Sequence, residues 1–466
     1  MSGDGETRVE RDSMGQMEVP VQAYYGASTM RAVLNFPISD LRFSRGFIRT
    51  LGLVKSVAAK TNMELGLLDL DIGNAICKAA KEVADGELYD EFVVDIFQTG
   101  SGTSTNTNAN EVIANRAIEI LGGERGSRLV HPNDHVNICQ SSNDVIPTVI
   151  HLSAMTAIEH ELIPNLTRLK DSLGAKSEQF WPIVKTGRTH LQDATPIRLG
   201  QEFKGFEGQI ERSLSRLSHA LSELGEISIG GTAVGTGVNA DPGFAPRVCL
   251  LLTKLTGLAV HETDNHFQSQ NTLDGVVEAS GIIRTVALSL YKIANDLRWL
   301  SSGPRAGIGE ITLPEVQPGS SIMPGKVNPV IPESVIQVIA QVIGNDATIA
   351  NCNQGGFFEL NMMMPVAAYN LLQSISLLAT ATKNFTDQCV MGIEATSKGP
   401  ELVEQGLMLG TALSPVVGYD KAAAIAKDAA AKNRSIRESA RELTELTDQE
   451  LDKILDPTTM TEPSDS

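Results

Sequence analysis

Aromatic side chains are scarce in this sequence, where Phe, Trp and Tyr make up only 5% of 466 residues. A core with few aromatics must be built from aliphatic side chains, which favours packed helices over a sandwich of aromatic-rich strands. Positive charge is also in short supply, because 38 Lys and Arg residues stand against 56 Asp and Glu residues and leave a net charge of −18. That balance argues against nucleic acid as the main partner, since binding phosphates requires a basic surface.

Cysteines are few and scattered: there are 5, at positions 77, 139, 249, 352 and 389, and never in a Cys-x-x-Cys spacing. This odd, dispersed set predicts free thiols in a reducing compartment rather than a disulfide framework or a zinc site. The first residues lack the apolar stretch of a signal peptide, and nowhere do about 18 apolar residues follow one another as a membrane span requires. We therefore expect a cytoplasmic protein with no membrane partner.

Length and apolar periodicity predict a mainly α protein of three domains. The chain exceeds the size of about 250–300 residues at which single cores stop growing. Long helices without strands between them predict a bundle, which we place in a central domain of residues 139–396. Residues 1–138 and 397–466 are expected to form an N-terminal domain and a small helical C-terminal domain with a disordered tail from Pro457. The segments with apolar residues at helical spacing are Leu162 to Phe180, Leu199 to Leu224, Val277 to Leu300 and Val335 to Ala350.

One loop framed by Gly and Pro places a serine, a lysine and an asparagine close together. It spans residues 318–329, reads PGSSIMPGKVNP, and is named the serine loop. Gly and Pro allow turns that bring a backbone close to a small ligand, and catalytic groups often lie on such loops. Ser320 offers a hydroxyl that could take a proton, while Lys326 and Asn328 offer donors for developing negative charge. Glu333 lies just beyond the loop and completes this first set of candidates.

Three further clusters of Ser, Thr, Asn and His residues lie far apart in the sequence. Their hydroxyls and amides are neutral donors suited to gripping a carboxylate without a fixed charge. Taken singly, such clusters are more often helix caps or turns than sites, although capping requires neither Thr-His nor Lys-x-Asn. The candidate residues are Ser101 and Thr103 in the first cluster, His131, Asn133, Asp134, Ser141, Ser142 and Asn143 in the second, and Thr189 and His190 in the third.

Three other kinds of site are weaker interpretations. The glycines between Ile227 and Ala240 lack the Gly-Lys-Ser/Thr of a phosphate-binding loop, and no strand evidently precedes them. His131 and Asp134 could both ligate a metal, but two ligands at that spacing do not make a zinc signature. A Ser-His-Asp hydrolase would need a Gly-x-Ser-x-Gly elbow, which is missing. We therefore predict no bound nucleotide, no metal and no cofactor.

Taken in order, the motifs resemble a known family. Residues 319–329 are similar to the signature of the fumarase/aspartase superfamily, and the likeness extends from about Met14 to Tyr419. The resemblance implies a fold with a central long-helix bundle and a homotetramer in which each active site takes residues from three subunits. The segments similar to its class II fumarate hydratase branch are TGSGT from Thr99, HPND from His131, QSSND from Gln140 and GRTH from Gly187.

The same resemblance implies a role for each candidate. Ser320 would remove the C3 proton of malate, and Lys326 and Asn328 would grip the adjacent carboxylate as charge builds into an aci-carboxylate. His190, paired with Glu333, would position or protonate the leaving hydroxyl through water. The remaining residues would hold the substrate carboxylates and the water (Ser101, Thr103, Ser141, Ser142, Asn143 and Thr189) or form a second, non-catalytic dicarboxylate site (His131, Asn133 and Asp134).

Two activities share this fold and loop, namely hydration of fumarate and elimination of ammonia from L-aspartate. Ser101, Ser142, His131 and His190 favour the hydratase, whereas flanking residues such as Tyr24 and Thr105 do not. Because residues expected to face substrate weigh more than flanking ones, we predict a fumarate hydratase, with aspartate ammonia-lyase as the alternative. A purely structural or partner-binding protein is disfavoured, since every expected catalytic position is filled.

Overall fold

The computed structural model describes residues 6–463, and most of their ordered backbone is helical, which confirms the mainly α fold class. The chain divides into two compact units. The first unit comprises Met1–Pro164, Ser215–Ala287 and Ala340–Ala379, and the second comprises Asn165–Leu214, Leu288–Ile339 and Thr380–Ser466. The three sequence-based domains, 1–138, 139–396 and 397–466, stay a prediction.

The elements are numbered in chain order. The α-helices are α1 Ala27–Asn35, α2 Arg45–Glu64, α3 Leu70–Asp85, α4 Thr103–Ile120, α5 Ser142–Ala157, α6 Ile163–Phe180, α7 Leu199–Leu224, α8 Phe244–Thr256, α9 His266–Asn271, α10 Asp274–Leu300, α11 Val330–Asn353, α12 Met364–Gln388, α13 Lys398–Val403, α14 Ser414–Val417, α15 Tyr419–Lys432, α16 Ile436–Leu443 and α17 Asp448–Ile454. The strands are β1 Thr7–Asp12, β2 Gly15–Pro20, β3 Val184–Thr189, β4 Gln192–Arg198, β5 Glu226–Ile227, β6 His261–Glu262, β7 Ile311–Thr312, β8 Gly356–Phe357, β9 Leu360–Asn361 and β10 Glu394–Ala395.

The four long helices predicted from apolar periodicity are present as α6, α7, α10 and α11. A further helix, α12, belongs with them by length. Each of these except α6 is at least 24 residues long, about twice the mean helix of ~11–12 residues. Their length follows from aliphatic residues repeated every three to four positions, with no proline beyond the first turn.

Strands are short and occur in pairs. β3 and β4 form an antiparallel hairpin with an irregular register between Thr186 and Arg188. β5 and β6 pair in parallel, so a short strand does precede the glycine-rich segment, contrary to the sequence-based expectation. The strand is only two residues long, which is too brief to leave an alternating apolar pattern in the sequence.

The C-terminal helices α15, α16 and α17 enclose a small apolar core. Its buried members include Leu413, Ile425, Ile436 and Leu451. Capping boxes begin α16 and α17. These caps explain how such short helices hold their first turns.

The expected disorder of the tail is wrong for its described part. Residues Pro457–Met460 form a 3₁₀ turn whose first N–H, that of Thr458, donates to the Asp456 carboxylate. Gln201 Nε2 donates to Thr461 O at 2.7 Å and ties the tail to α7. The last three residues of the predicted tail lie outside the described residues. No helix within residues 6–463 is long and apolar enough to cross a membrane.

Candidate active site

Three hydroxyl groups meet where α4 and α5 begin. Thr103 Oγ1 lies 2.7 Å from Ser101 Oγ and 2.7 Å from Ser142 Oγ, and we name these residues the hydroxyl cluster. Ser142 Oγ also donates to Asn143 Oδ1 at 3.3 Å. The residue before α4 is Gly102, which has no side chain to cap the helix, and in the first turn the N–H of Thr105 donates to Gln98 Oε1 at 3.0 Å. Two helix N-termini beside buried hydroxyls form a place that can receive an anionic group.

Ser141 has a different position from its neighbours, because it caps α5. Its Oγ accepts the N–H of Asn143 at 3.3 Å, and the carboxylate of Asp144 accepts the N–H of Ser141 at 2.9 Å. Asn143 Nδ2 donates to Ala233 O at 2.8 Å. The capping interpretation of this motif therefore holds for Ser141, while Ser142 and Asn143 face the hydroxyl cluster and the glycine-rich segment.

Asp144 fastens the start of α5 to the glycine-rich segment. Its Oδ2 accepts the N–H groups of Gly230 at 3.0 Å and Thr232 at 2.9 Å. The side chain is fully buried, and burial raises the pKa of Asp144 to about 6. The glycines between Ile227 and Ala240 thus wrap a carboxylate of this chain, which gives them a structural reason unrelated to phosphate binding.

A buried lysine holds the chain that leads into α5. Lys55 on α2 is fully buried, and its Nζ donates to Asn137 Oδ1 at 2.9 Å and Gln140 Oε1 at 3.0 Å. Burial lowers the pKa of Lys55 to about 7, against the opposing effect of the Asp144 charge. Lys55 and Asp144 thus support the start of α5 from buried positions, Lys55 through Gln140 and Asp144 through the backbone of Ser141.

The predicted second site borders a cavity of about 470 Å³ in the first unit. His131 Nδ1 accepts the N–H groups of Asn133 at 3.2 Å and Asp134 at 3.1 Å, so this nitrogen carries a lone pair. Asp134 Oδ2 lies 3.2 Å from the same nitrogen. A nitrogen that accepts two N–H groups carries no proton to share with that carboxylate, so the contact is not an ion pair. Burial also lowers the pKa of His131. Polar residues lining the cavity include Arg11, Ser28, Asn115, Arg128, His131 and Asn133.

Thr189 and His190 lie at the exposed tip of the β3–β4 hairpin. His190 and Leu191 form a two-residue turn in which both have φ of +58°. Such a turn favours Asn and Gly, because a side chain in this conformation is strained. A histidine is held here at an energetic cost, as often occurs at functional positions.

Buried charges lie directly behind this tip. Arg188 makes a bidentate pair with Glu310, at 3.1 Å and 2.6 Å. Lys185 Nζ lies 2.9 Å from Glu310 and 2.7 Å from Glu202. Lys185 and Glu310 are each 1% exposed, and burial raises the pKa of Glu202. Two cations and two carboxylates therefore neutralise one another at the base of the hairpin.

The serine loop closes on itself. Gly319 N donates to Lys326 O at 2.8 Å, and Asn328 Nδ2 donates to Gly319 O at 2.7 Å. A Cβ at Gly319 would lie 2.4 Å from Lys326 O, so only glycine fits this closure. Within the loop, Ser320 Oγ accepts the N–H groups of Ile322 at 3.2 Å and Met323 at 3.0 Å. Two donors on one oxygen favour its ionised form.

The remaining loop candidates are more open. Lys326 is exposed, whereas Asn328 and Glu333 are half-buried. Among the described residues, no hydrogen bond joins Lys326 Nζ to Ser320 or the Glu333 carboxylate to His190. The predicted His190–Glu333 pairing is therefore not made within this chain. No group of three or more His, Cys, Asp and Glu side chains in residues 6–463 is arranged to hold a metal ion.

Comparison with known proteins decides the family. A lyase family model matches residues 15–344, and a model of the fumarase C C-terminus matches residues 409–462. A class II fumarate hydratase from Ralstonia nicotianae is 50% identical over 456 residues, which are 97% of this chain and 99% of that protein. The chain belongs to the class II fumarate hydratase family. A second member, from Halobacterium salinarum, is 52% identical over 455 residues, 97% of each chain.

Solved structures agree with this family and with the predicted fold. The crystal structure of recombinant class II fumarase from Schistosoma mansoni has a TM-score of 0.94 and 39% identity, and the match covers 98% of this chain and 99% of that one. The class II fumarate hydratase predicted from the sequence is thereby confirmed, as is its nature as a lyase. These relatives give no support to the ammonia-lyase alternative.

The buried ionisable residues of this family member were not found by sequence reasoning. Lys55 carried a signal, since it interrupts the apolar face formed by Leu51, Val54 and Ala58 of α2. Asp144 was visible within the QSSND motif, but nothing in the sequence showed that it faces inward. Glu310 lies 122 residues from Arg188, and no local pattern links the two.

Proposed function

We propose that this chain catalyses the reversible, anti hydration of fumarate to L-malate through an aci-carboxylate intermediate, with Ser320 as the base. The observation that carries this proposal is the pair of backbone N–H groups donated to Ser320 Oγ by Ile322 and Met323. An ordinary serine is a poor base, and preplaced donors stabilise the alkoxide that could remove the C3 proton of malate. No cofactor is needed for this step.

Stabilising the intermediate is the larger demand on the enzyme. A carbon next to a carboxylate is barely acidic, so its deprotonation needs donors aimed at the charge that develops. Lys326 would supply the cation, and the amide of Asn328 has a second N–H beyond the one given to Gly319 O. Both belong to the same closed loop as Ser320, so a substrate gripped by them would lie near the base.

The neutral donors would hold the substrate at its other end. The hydroxyl cluster at the α4 and α5 N-termini, with Ser141, Asn143 and Thr189, would bind carboxylate oxygens and the reacting water. His190, oriented by Glu333 across a subunit boundary, would position or protonate the leaving hydroxyl through a separate bridging water. His131, Asn133 and Asp134 would form a separate dicarboxylate site, and the first two of them line the cavity described above.

A homotetramer in which three subunits share each active site fits the exposure of Thr189, His190 and Lys326 within one chain. Phe357, Phe358 and Met362 are exposed on and beside the β8–β9 hairpin, and Phe358 is 88% exposed. Met362 O would lie 1.9 Å from a Cβ on Gly100, so this apolar surface adjoins the hydroxyl cluster. Exposed apolar surface of this kind marks an interface, and a second copy of the chain would cover it. The scattered free thiols support the cytoplasmic location.

Dilution tests the shared-site proposal. A protein diluted until sedimentation shows monomers should lose activity, because no single chain would hold a complete site. Undiminished activity per chain at monomeric concentrations would contradict it.

The reaction itself is tested by loss of the ultraviolet absorbance of fumarate with purified protein, with and without ammonium. Formation of L-malate without ammonium is the expected result. Consumption that requires ammonium would overturn the proposed hydration.

A further inference from the structure

Glu310 is a buried carboxylate to which the proposed reaction assigns no part. Its side chain is 1% exposed, yet it accepts from two cations, Arg188 and Lys185. A carboxylate is withdrawn from water only at considerable cost, which these partners offset. The chain maintains this arrangement at the base of the hairpin that carries Thr189 and His190.

The first link runs from Glu310 to the hairpin tip. Arg188 immediately precedes Thr189, and both of its terminal nitrogens bond the Glu310 carboxylate. A bidentate pair fixes the guanidinium plane as well as its position. The tip needs such a restraint, because His190 and Leu191 have the strained φ of +58° and are exposed.

The second link holds Glu310 itself in place. Its backbone N–H donates to Leu300 O at 2.8 Å, and its O accepts the N–H of Thr396 at 2.9 Å. The next residues, Ile311 and Thr312, form β7, which pairs with β10 and leads into the serine loop. Glu310 is therefore held by its backbone beside α10 and β10, and its side chain holds the segment that carries His190.

We propose that Glu310 is a positioning residue that fixes the His190 hairpin on the second unit, acting through Arg188. The inference rests on the proposed function and adds a residue to it. Proton transfer requires its groups to be placed closely, and a displacement of about 1 Å can cost ~100-fold in rate. Lys185 balances the negative charge of Glu310 and Glu202, whereas Arg188 fixes the position of the hairpin.

The test is Glu310→Gln, which keeps the shape of the side chain but leaves Arg188 only one acceptor oxygen. We expect kcat for fumarate hydration to fall about 100-fold while KM changes less than about threefold, since the hydroxyl cluster is untouched. The matched control is Glu202→Gln, which removes the other carboxylate bonded to Lys185 and leaves the Arg188 pair intact. That variant should lose thermal stability to a similar degree but keep kcat within about threefold of the unchanged enzyme.

Arg188→Lys separates geometry from charge and serves if Glu310→Gln does not fold. It keeps both buried charges but loses the bidentate fork, so kcat should fall about tenfold or more. Combined with Glu310→Gln, it should add little, because both changes break the same link. Equal kcat losses for Glu310→Gln and Glu202→Gln, or an unchanged kcat in Arg188→Lys, would overturn the inference. An inactive unchanged enzyme would instead refute the proposed function.

Discussion

The hydroxyl cluster in the first unit and the serine loop in the second contrast in how their reactive groups are held. Ser101 and Ser142 are buried at the starts of long helices and are backed by Lys55 and Asp144. The serine loop is largely exposed, and its shape comes from a few backbone bonds between its own ends. Under the proposed mechanism, the contrast teaches that recognition is assigned to preformed, rigid donors, whereas the proton-removing group lies on a segment that a substrate can reach. Rigid binding groups lose little entropy when ligand arrives.

Removing the base should give the largest effect. Ser320→Ala deletes the oxygen that accepts from Ile322 and Met323, so we expect kcat to fall by about 10²–10⁴-fold with the fold retained. Ser321→Ala, the adjacent exposed serine, is the matched control and should remain active. Circular dichroism and fumarate consumption measure the two quantities. Substantial residual activity in Ser320→Ala would remove this serine from the role of base.

A smaller effect should follow from breaking the hydroxyl cluster at its centre. Thr103→Val keeps the side-chain shape but removes the hydroxyl that joins Ser101 to Ser142. A hydrogen bond to a charged group is worth about 1.5–3 kcal/mol, so KM for fumarate should rise about tenfold or more while kcat falls less. Thr105→Val removes a buried hydroxyl of the same helix that bonds Gln98 instead, and should alter stability rather than KM. Equal KM values in Thr103→Val and Thr105→Val would show that the hydroxyl cluster has no special part in binding fumarate.

The smallest effect concerns the buried support of the first unit and depends on pH. Burial lowers the pKa of Lys55 to about 7, whereas a lysine in the unfolded chain titrates near ~10.4. Between these values the unfolded chain binds a proton that the folded chain does not, so stability rises with pH in that window. Lys55→Met deletes this dependence and leaves Asn137 and Gln140 without their donor.

We therefore expect the melting temperature of the unchanged protein, minus that of Lys55→Met, to increase between about pH 7.5 and about pH 9.5. The difference in free energy of unfolding between the two proteins can rise by at most about 1.4 kcal/mol per pH unit. Calorimetry at matched ionic strength measures it, and this range lies above the raised pKa of Asp144, about 6. A constant difference across the range would show that Lys55 ionises normally when folded.

The sequence predicted the long helices and the residues of both regions for clear physical reasons. Apolar repeats specify α7 and α10 locally, and Gly and Pro mark the serine loop as irregular. The buried polar contacts that support the two regions could not be found from local patterns, since Lys55 bonds Gln140 across 85 residues and Arg188 bonds Glu310 across 122. The tail was misjudged because contacts such as the cap at Asp456 and the bond from Gln201 order it, and these do not change its polar composition.

Counting lone pairs on Ser320 gives a further consequence of its two N–H contacts. A neutral hydroxyl oxygen has two lone pairs, and Ile322 and Met323 occupy both. Only after ionisation does the oxygen gain a third pair that is free to face a carbon-bound proton. Under the proposed mechanism, the loop therefore gives the base a direction: the backbone fills the other two pairs, and the reacting pair exists only in the alkoxide.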